Sequence, residues 1–256
     1  FSLHLYEKIV PFFNNKLKVV LMPYENQPFQ STIIKYIKEN FKSTNIIGYV
    51  HSFPSFPSHF LKSENSPHKI ILNSWDQKQT FQKYLRWNSK ELILLPSTRF
   101  SEDETSLEQD TIYLPIDFES INLIVTNFKI LLEIEKKIEL KCFKIRNHPA
   151  ANNSKKHNLL INELNGILKK DSPFSQSTKK TAIFIGSTGA IIEALIHGFE
   201  VIHIYEDQLF DLYHNFLWPS LEQEVINDKI VKYKLINYNS IMFNKKQNLL
   251  EKYLSI

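Results

Sequence analysis

The residues best suited to chemistry lie in Thr181–Tyr205, TAIFIGSTGAIIEALIHGFEVIHIY. An apolar run there ends in Gly186-Ser187-Thr188-Gly189 and passes at once into a helical pattern. The two glycines let the backbone turn tightly and come close to a ligand. Ser187 or Thr188 can cap the helix. The free N–H groups of its first turn, with hydroxyls beside them, suit an anion such as phosphate. A capped strand-to-helix turn with no ligand would use the same residues. The segment matches neither the GxGxxG dinucleotide fingerprint, nor the GxxxxGK[ST] loop, nor the GxSxG elbow. A second group, Arg146-Asn147-His148-Pro149, closes an earlier apolar run. Its imidazole can donate to a phosphate oxygen, Arg146 adds a cation and Pro149 fixes the turn; a purely structural Asn-His-Pro turn is the alternative. Ligands of open α/β sheets bind at the carboxyl ends of the strands. Two such turns, from parallel strands flanking one crevice, would offer donors to a single anion.

Other chemistries find less support. The nine histidines are dispersed without HExxH or His/Cys ligand spacing, and Glu102-Asp103-Glu104, although similar to an Asp-x-Asp metal motif, sits in an acidic stretch. No metal or other cofactor is therefore expected. Cys142 stands alone in an apolar run, which reads as a buried structural thiol and fits a reducing, cytoplasmic compartment. No apolar stretch approaches the about 18 residues needed to span a bilayer, and no signal peptide is seen. The chain opens on Phe1 rather than Met, so further residues are expected upstream. The formal charge is +4, from 31 Lys+Arg against 27 Asp+Glu, without an arginine-rich stripe, so nucleic acid is not an expected partner. So mild an excess suits an anionic substrate or the inner face of a membrane, and a Lys/Ile/Asn-rich composition alone also accounts for it.

The elements that must position these residues follow from short apolar runs alternating with amphipathic segments. Strands are expected at Lys18–Met22, Asn45–Val50, Lys69–Asn73, Glu91–Leu95, Thr111–Leu114, Cys142–Arg146, Ala182–Ile185, Val201–Ile204 and Ile230–Leu235. Most are Ile/Val/Leu-rich without alternation, as strands buried on both faces of a parallel sheet are. Helices are expected at Pro28–Phe41, Gln77–Trp87, Phe118–Ile138, Asn158–Lys169, Gly189–His197 and Ser240–Leu254. Ser97–Asp110, STRFSEDETSLEQD, is charged and poor in apolar side chains, so it reads as a linker. The expected architecture is α/β: two Rossmann-like, doubly wound parallel-sheet lobes facing a cleft, residues 1–105 and 106–256, the first incomplete at its N-terminus.

His148-Pro149 followed by Gly186-Ser187-Thr188 resembles the donor lobe of bacterial glycosyltransferases that use CMP-activated acidic sugars, namely the bacterial sialyltransferases and the Kdo transferases of capsule and lipopolysaccharide synthesis. The resemblance implies that His148, Ser187 and Thr188 contact the nucleotide phosphate, with Gly189 and Arg146 beside them. In the first half, Pro23-Tyr24-Glu25-Asn26-Gln27-Pro28-Phe29 and Ile47-Gly48-Tyr49-Val50-His51-Ser52 are similar to the "YE" and "GYxHs" patterns of surface-carbohydrate biosynthesis proteins with the two-lobed GT-B fold. Ser97-Thr98-Arg99-Phe100 resembles the segment that closes their first lobe, and the likeness runs roughly from Lys18 to Tyr205.

On that resemblance Glu25 is the candidate general base for an acceptor hydroxyl; an exposed first-turn glutamate favouring the helix dipole is its alternative. His51 and His59 are candidates for acceptor or sugar contact. Glu193 is implied at the ribose hydroxyls, and Glu206 and Asp207 at base or sugar, where a solvated loop would look the same. Asp76 reads as a helix cap, or as a second carboxylate should the reaction retain configuration. The expected activity is metal-independent glycosyl transfer, set against two rivals: a nucleotide-sugar epimerase on the same scaffold, and a non-catalytic nucleotide-sugar or partner-binding module of glycan assembly. The expected partners are a nucleotide-sugar donor and a glycan or glycolipid acceptor, at a cytoplasmic site that includes the inner membrane face.

Overall fold

The computed structural model describes residues 2–13, 16–50, 57–95, 105–134, 143–151, 154–168, 180–186, 188–205 and 211–237. The chain divides into two compact units, one of Phe1–Ser101 with Phe216–Trp218 and Asn239–Ile256, the other of Glu102–Asn215 with Pro219–Tyr238.

In the first unit a helix α1 (Ser2–Ile9) precedes β1 (Val19–Pro23), α2 (Pro28–Asn40), β2 (Asn45–Tyr49), β3 (Lys69–Leu72), α3 (Trp75–Tyr84) and β4 (Leu92–Leu94). The strands pair in parallel in the order β1-β2-β3-β4. Side chains alternate across a strand, so Ile47 and Ile71 join Leu95 in one core while Ile46, Ile70 and Leu72 are buried against the other face. Both faces are apolar because both are covered, which is why the strands read as unbroken hydrophobic runs.

Helix α2 starts at Pro28, whose fixed φ suits the first helical position, behind a Gln27/Gln30 capping box, and buries Ile33, Ile34 and Ile37. Ser74 caps α3 by accepting from the Gln77 N–H at 3.1 Å. Asp76 was expected at that cap; it lies instead inside the first turn and is buried. An aromatic wedge of Tyr24, Phe60, Phe81 and Trp87 packs this unit, with Trp87 Nε1 donating to the Phe60 carbonyl at 2.8 Å. Thr80 Oγ1 donates to the Leu217 carbonyl at 2.9 Å, tying Phe216–Trp218 to α3.

The second unit runs β5 (Thr111–Tyr113), α4 (Ile121–Ile134), β6 (Lys144–Arg146), α5 (Lys155–Leu168), β7 (Thr181–Ile185), α6 (Ala190–Ile196), β8 (Glu200–Ile204), β9 (Leu221–Asn227) and β10 (Ile230–Leu235). Its sheet has the order β6-β5-β7-β8-β10-β9. β5 to β8 are parallel, whereas β10 is antiparallel to both β8 and β9. Ile112, Ile183, Ile185, Ile202 and Ile204 face α4 and α5, whose Ile124, Phe128, Leu160 and Leu164 complete one core. Helices α4 and α5 each begin three residues from their expected starts, close to the usual scatter of helix ends.

Three differences from the sequence expectation stand out. The sheet of the second unit is mostly rather than wholly parallel, because β10 runs antiparallel to β8; β9, which pairs with β10, was not anticipated. Leu221–Asn227 is rich in glutamate and lies at the sheet edge, half solvated, so it lacks the apolar density of a central strand. The Asn227 side chain accepts from the Lys229 N–H at 2.8 Å, closing a tight turn that folds β10 back on β9. The strand-order reversal of a doubly wound sheet is found in the second unit, between β6 and β7 on either side of β5; the described strands of the first unit step in one direction. Helix α1 was also unanticipated, and the expected helix Ser240–Leu254 lies outside the described residues.

Candidate functional site

β6 and β7 are both parallel to β5 and lie on its two sides, with Tyr113 of β5 in register with Arg146 on one flank and Phe184 on the other. The chain therefore leaves β6 at Asn147-His148 and β7 at Gly186 on the same, carboxyl, rim of one sheet. Two interstrand spacings, about 10 Å, separate the two exits. The exit of β5 lies between them. This is the position at which strand order reverses, where crevices form in open α/β sheets.

The turn after β7 is fixed by backbone geometry. Gly186 has φ 70°, a left-handed conformation that L side chains rarely adopt. Its N–H donates to the Ile204 carbonyl at 2.9 Å, and its carbonyl accepts from His203 Nε2, also at 2.9 Å. Gly189, not a hydroxyl residue, holds the cap position of α6, a helix of seven residues; Thr188 Oγ1 accepts from the Ala190 N–H at 3.3 Å. The Thr188 carbonyl accepts from the Tyr213 hydroxyl at 2.6 Å and the Ile191 N–H at 3.2 Å.

The β6 exit is equally ordered. His148 is half-buried; its N–H donates to Asn147 Oδ1 at 2.9 Å and its Nδ1 accepts from the Ala150 N–H at 3.1 Å. With Nδ1 acting as acceptor, the neutral imidazole carries its proton on Nε2, which is then a donor available to an oxygen. Asn147 Nδ2 donates to the Ala151 carbonyl at 3.3 Å and steadies the turn.

Arg146 and Glu193 are engaged by the segment that enters β5. Arg146 Nη1 donates to the Ser106 carbonyl at 2.6 Å, with its guanidinium 5.9 Å from the Tyr113 ring centroid. Thr105 Oγ1 donates to Glu193 Oε1 at 2.9 Å. The Tyr113 ring itself stacks on Phe184 at 4.8 Å, and its hydroxyl accepts from the Glu108 N–H at 2.7 Å. Arg146 and Glu193, expected at phosphate and ribose, thus have internal partners here.

Sequence reasoning missed a polar hub beside the β7 exit. Asp211 Oδ1 accepts from the Tyr205 hydroxyl at 2.6 Å, the Tyr233 hydroxyl at 2.9 Å and the Tyr213 N–H at 2.9 Å, and Oδ2 accepts from Gln223 Nε2 at 2.5 Å. The two tyrosine hydroxyls also stand within hydrogen-bonding reach of each other, so their two protons are shared among three contacts. Burial, reinforced by Asp211, pushes both phenols above the ordinary tyrosine range. His203 is fully buried among Tyr205, Tyr213 and Tyr233, and desolvation lowers its pKa to about 4. These residues come from four separate strands and loops, and no local spacing links them in the sequence.

In the first unit Glu25 follows β1 at its carboxyl end. Its N–H donates to Gln30 Oε1 at 3.0 Å, and its Oε2 accepts from Gln27 Nε2 at 3.0 Å. Asn26 adopts φ 53°, and its Oδ1 accepts from Ser31 Oγ at 2.9 Å, so the Glu25 loop is held from both sides. Next to it, Tyr24 is buried against Gly48, where an added Cβ would stand 2.8 Å from Tyr24 Cβ. His59 is exposed on a short turn, Pro57–Phe60. His51, Cys142, Ser187, Glu206 and Asp207, with Ser97–Phe100 and Glu102-Asp103-Glu104, lie outside the described residues.

Among the described residues there is no group of three or more His, Cys, Asp or Glu side chains placed to hold a metal ion, and no helix long and apolar enough to cross a membrane. Comparison with protein-family models gives no match, and comparison with curated proteins gives no significant one. What the second unit presents is a rim with a left-handed glycine, a hydroxyl and an imidazole N–H donor, on either side of a strand-order reversal. Such a rim offers donors to an incoming anion, while the loop that leaves β5 between them carries Asp117, paired with Lys156 at 3.4 Å.

Proposed function

We propose that this chain is a metal-independent glycosyltransferase of the GT-B class that moves a sugar from a nucleotide-activated donor, a CMP-linked acidic sugar such as Kdo or sialic acid, to a surface-glycan acceptor. The observation that supports it is the common rim: His148 and the Gly186/Thr188 turn leave the same end of one sheet, flanking β5 at the reversal. Donors on both sides of such a crevice meet a phosphate between them.

In this reading the acceptor oxygen attacks the anomeric carbon while the bond from that carbon to the phosphate oxygen breaks. Glu25, in the first unit, takes the acceptor proton. The nucleotide monophosphate departs with the bonding pair, its growing charge met by His148 Nε2–H and the hydroxyls of Ser187 and Thr188. Arg146 and Glu193 keep lesser roles, since both already have partners in residues 105–106.

A thermal-shift panel of CMP, UDP, GDP and NAD tests the donor class, because a ligand that binds the folded chain raises its melting temperature. Selective stabilisation by CMP is the expected result, and NAD alone stabilising the chain would overturn the reading. With a CMP-linked sugar, His148→Ala should abolish transfer; unchanged turnover would remove the central assignment. Conversion of the donor without any acceptor would instead mark an epimerase.

A further inference from the structure

We infer that Tyr213, held by Asp211, is a positioning residue that sets the Thr188 carbonyl and with it the β7 exit of the nucleotide site; this rests on the proposed function for its ligand but not for its geometry. Two features make the case. The Tyr213 side chain is fully buried, yet its hydroxyl reaches a backbone carbonyl, Thr188 O, 25 residues away in sequence, at 2.6 Å. Its own backbone N–H is fixed at 2.9 Å by Asp211 Oδ1, the atom on which the Tyr205 and Tyr233 hydroxyls also converge. The carboxylate therefore joins the residue that follows β8, Tyr205, to β10, through Tyr233, and to β9, through Gln223.

The consequence falls on the turn. Gly186 is held on one side by Ile204 and His203, both of β8. Thr188 is held on the other by Tyr213. Both anchors of this exit thus trace to the β8–β10–β9 end of the sheet rather than to β5 or β6. A ligand gripped between the β6 and β7 exits would then feel the antiparallel hairpin, whose Asn227–Lys229 turn stands beside the carboxyl end of β8, where the Lys229 carbonyl accepts from the Tyr205 N–H at 2.8 Å. The hairpin thereby supports one jaw of the site.

Tyr213→Phe removes a single hydroxyl and keeps the ring, and Thr188 O retains the Ile191 N–H, so the variant should fold. Asp211→Asn, which keeps an acceptor oxygen for the hub, serves as the conservative control. Two readouts are taken well below the melting temperature: amide hydrogen exchange of peptides covering Thr181–Leu195, and CMP affinity by titration. Exchange of the turn should speed up in Tyr213→Phe by about tenfold, the equivalent of one buried hydrogen bond, while peptides of α4 and α5 stay unchanged. CMP affinity should fall by about tenfold in Tyr213→Phe and by less in Asp211→Asn. Unaltered exchange at the turn would overturn the positioning role whatever the ligand. Faster exchange with unaltered CMP affinity would also overturn it as a site-positioning role. If the unsubstituted chain binds no CMP, the functional reading fails on its own, and the exchange result alone decides whether Tyr213 sets the turn.

Discussion

His203 donates from Nε2 to the carbonyl of Gly186 at 2.9 Å while its Nδ1 is buried without a hydrogen-bond partner among the described residues. The ring is thus held as the neutral tautomer with its proton on Nε2, in direct contact with the left-handed glycine of the candidate site. Desolvation, the dominant influence, lowers its pKa from 6.5 to about 4. Between those two values the unfolded chain holds the extra proton and the folded chain does not, so stability rises with pH across the window. The contribution is complete above about pH 6.5 and is lost as pH falls through about 4, amounting to roughly 3 kcal/mol at most. Urea unfolding at pH 7 and at pH 4.5 should show this loss, and His203→Gln should flatten it. An equally steep acid limb in the variant would locate the titration elsewhere.

Asp211 is the acceptor for two tyrosine hydroxyls, one backbone N–H and the Gln223 amide. Replacing it by alanine strands those donors, Tyr233 among them fully buried, whereas asparagine keeps one oxygen in place. Leaving buried donors unsatisfied costs about 1–3 kcal/mol each, reduced where water can enter. Asp211→Ala is expected to lose about 3 kcal/mol in chemical denaturation and Asp211→Asn clearly less. Equal losses from the two would show that the hub acts through charge rather than through hydrogen-bond count.

The parallel strands were legible because burial on both faces leaves an unbroken apolar run, as in Thr181–Ile185, where every residue is buried. The exits at His148 and Gly186 were legible for the same reason: turn residues punctuate those runs. Ile230–Leu235 was legible as a strand but not in direction, since direction is set by the Asn227–Lys229 turn and by the edge strand before it. The edge strand hides its periodicity behind solvent-facing glutamates. The Asp211 hub was not legible at all. Its members converge only through pairing of β10 with β8 and β9, a tertiary fact with no local spacing to betray it. The same holds for Arg146 and Glu193, whose residue types suit a nucleotide but whose partners, Ser106 and Thr105, lie at the far end of a charged stretch.

Gly48 carries a packing demand that the sequence shows only as a glycine in a strand. A Cβ there would meet Tyr24 Cβ at 2.8 Å and the Pro67 ring at 3.0 Å, and both neighbours are core or loop atoms near the backbone rather than flexible tips. Tyr24 adjoins Glu25, so relief of the clash would move the candidate base. Overpacking of this kind costs about 1–3 kcal/mol. Gly48→Ala should lower the urea midpoint accordingly and reduce transfer, whereas Gly166→Ala, where an added Cβ meets nothing within 4 Å, should leave both unchanged or raise stability. A Gly48→Ala protein as stable as the parent would mean that the β1–β2 packing yields more readily than its contacts suggest.

Arg146 and His148 stand two residues apart at one strand end, and their hydrogen bonds separate their roles. Arg146 Nη1 is taken by the Ser106 carbonyl, and the guanidinium lies over Tyr113, so its charge supports the segment entering β5. His148 commits Nδ1 to the Ala150 N–H and keeps an Nε2 donor for a ligand. Arg146→Gln should therefore change nucleotide affinity by less than about threefold, under about 1 kcal/mol, while exposing the 105–108 segment to faster protease cleavage. His148→Ala should weaken nucleotide binding by more than about tenfold, the scale of one direct hydrogen bond to a charged oxygen, with no change in cleavage at 105–108. Raising the salt concentration discriminates further, since a guanidinium that neutralised the phosphate would make affinity fall with ionic strength in the parent and not in Arg146→Gln. Identical salt dependence in both proteins is expected. A salt dependence abolished by Arg146→Gln would return Arg146 to the phosphate and make the Ser106 contact one that the ligand displaces.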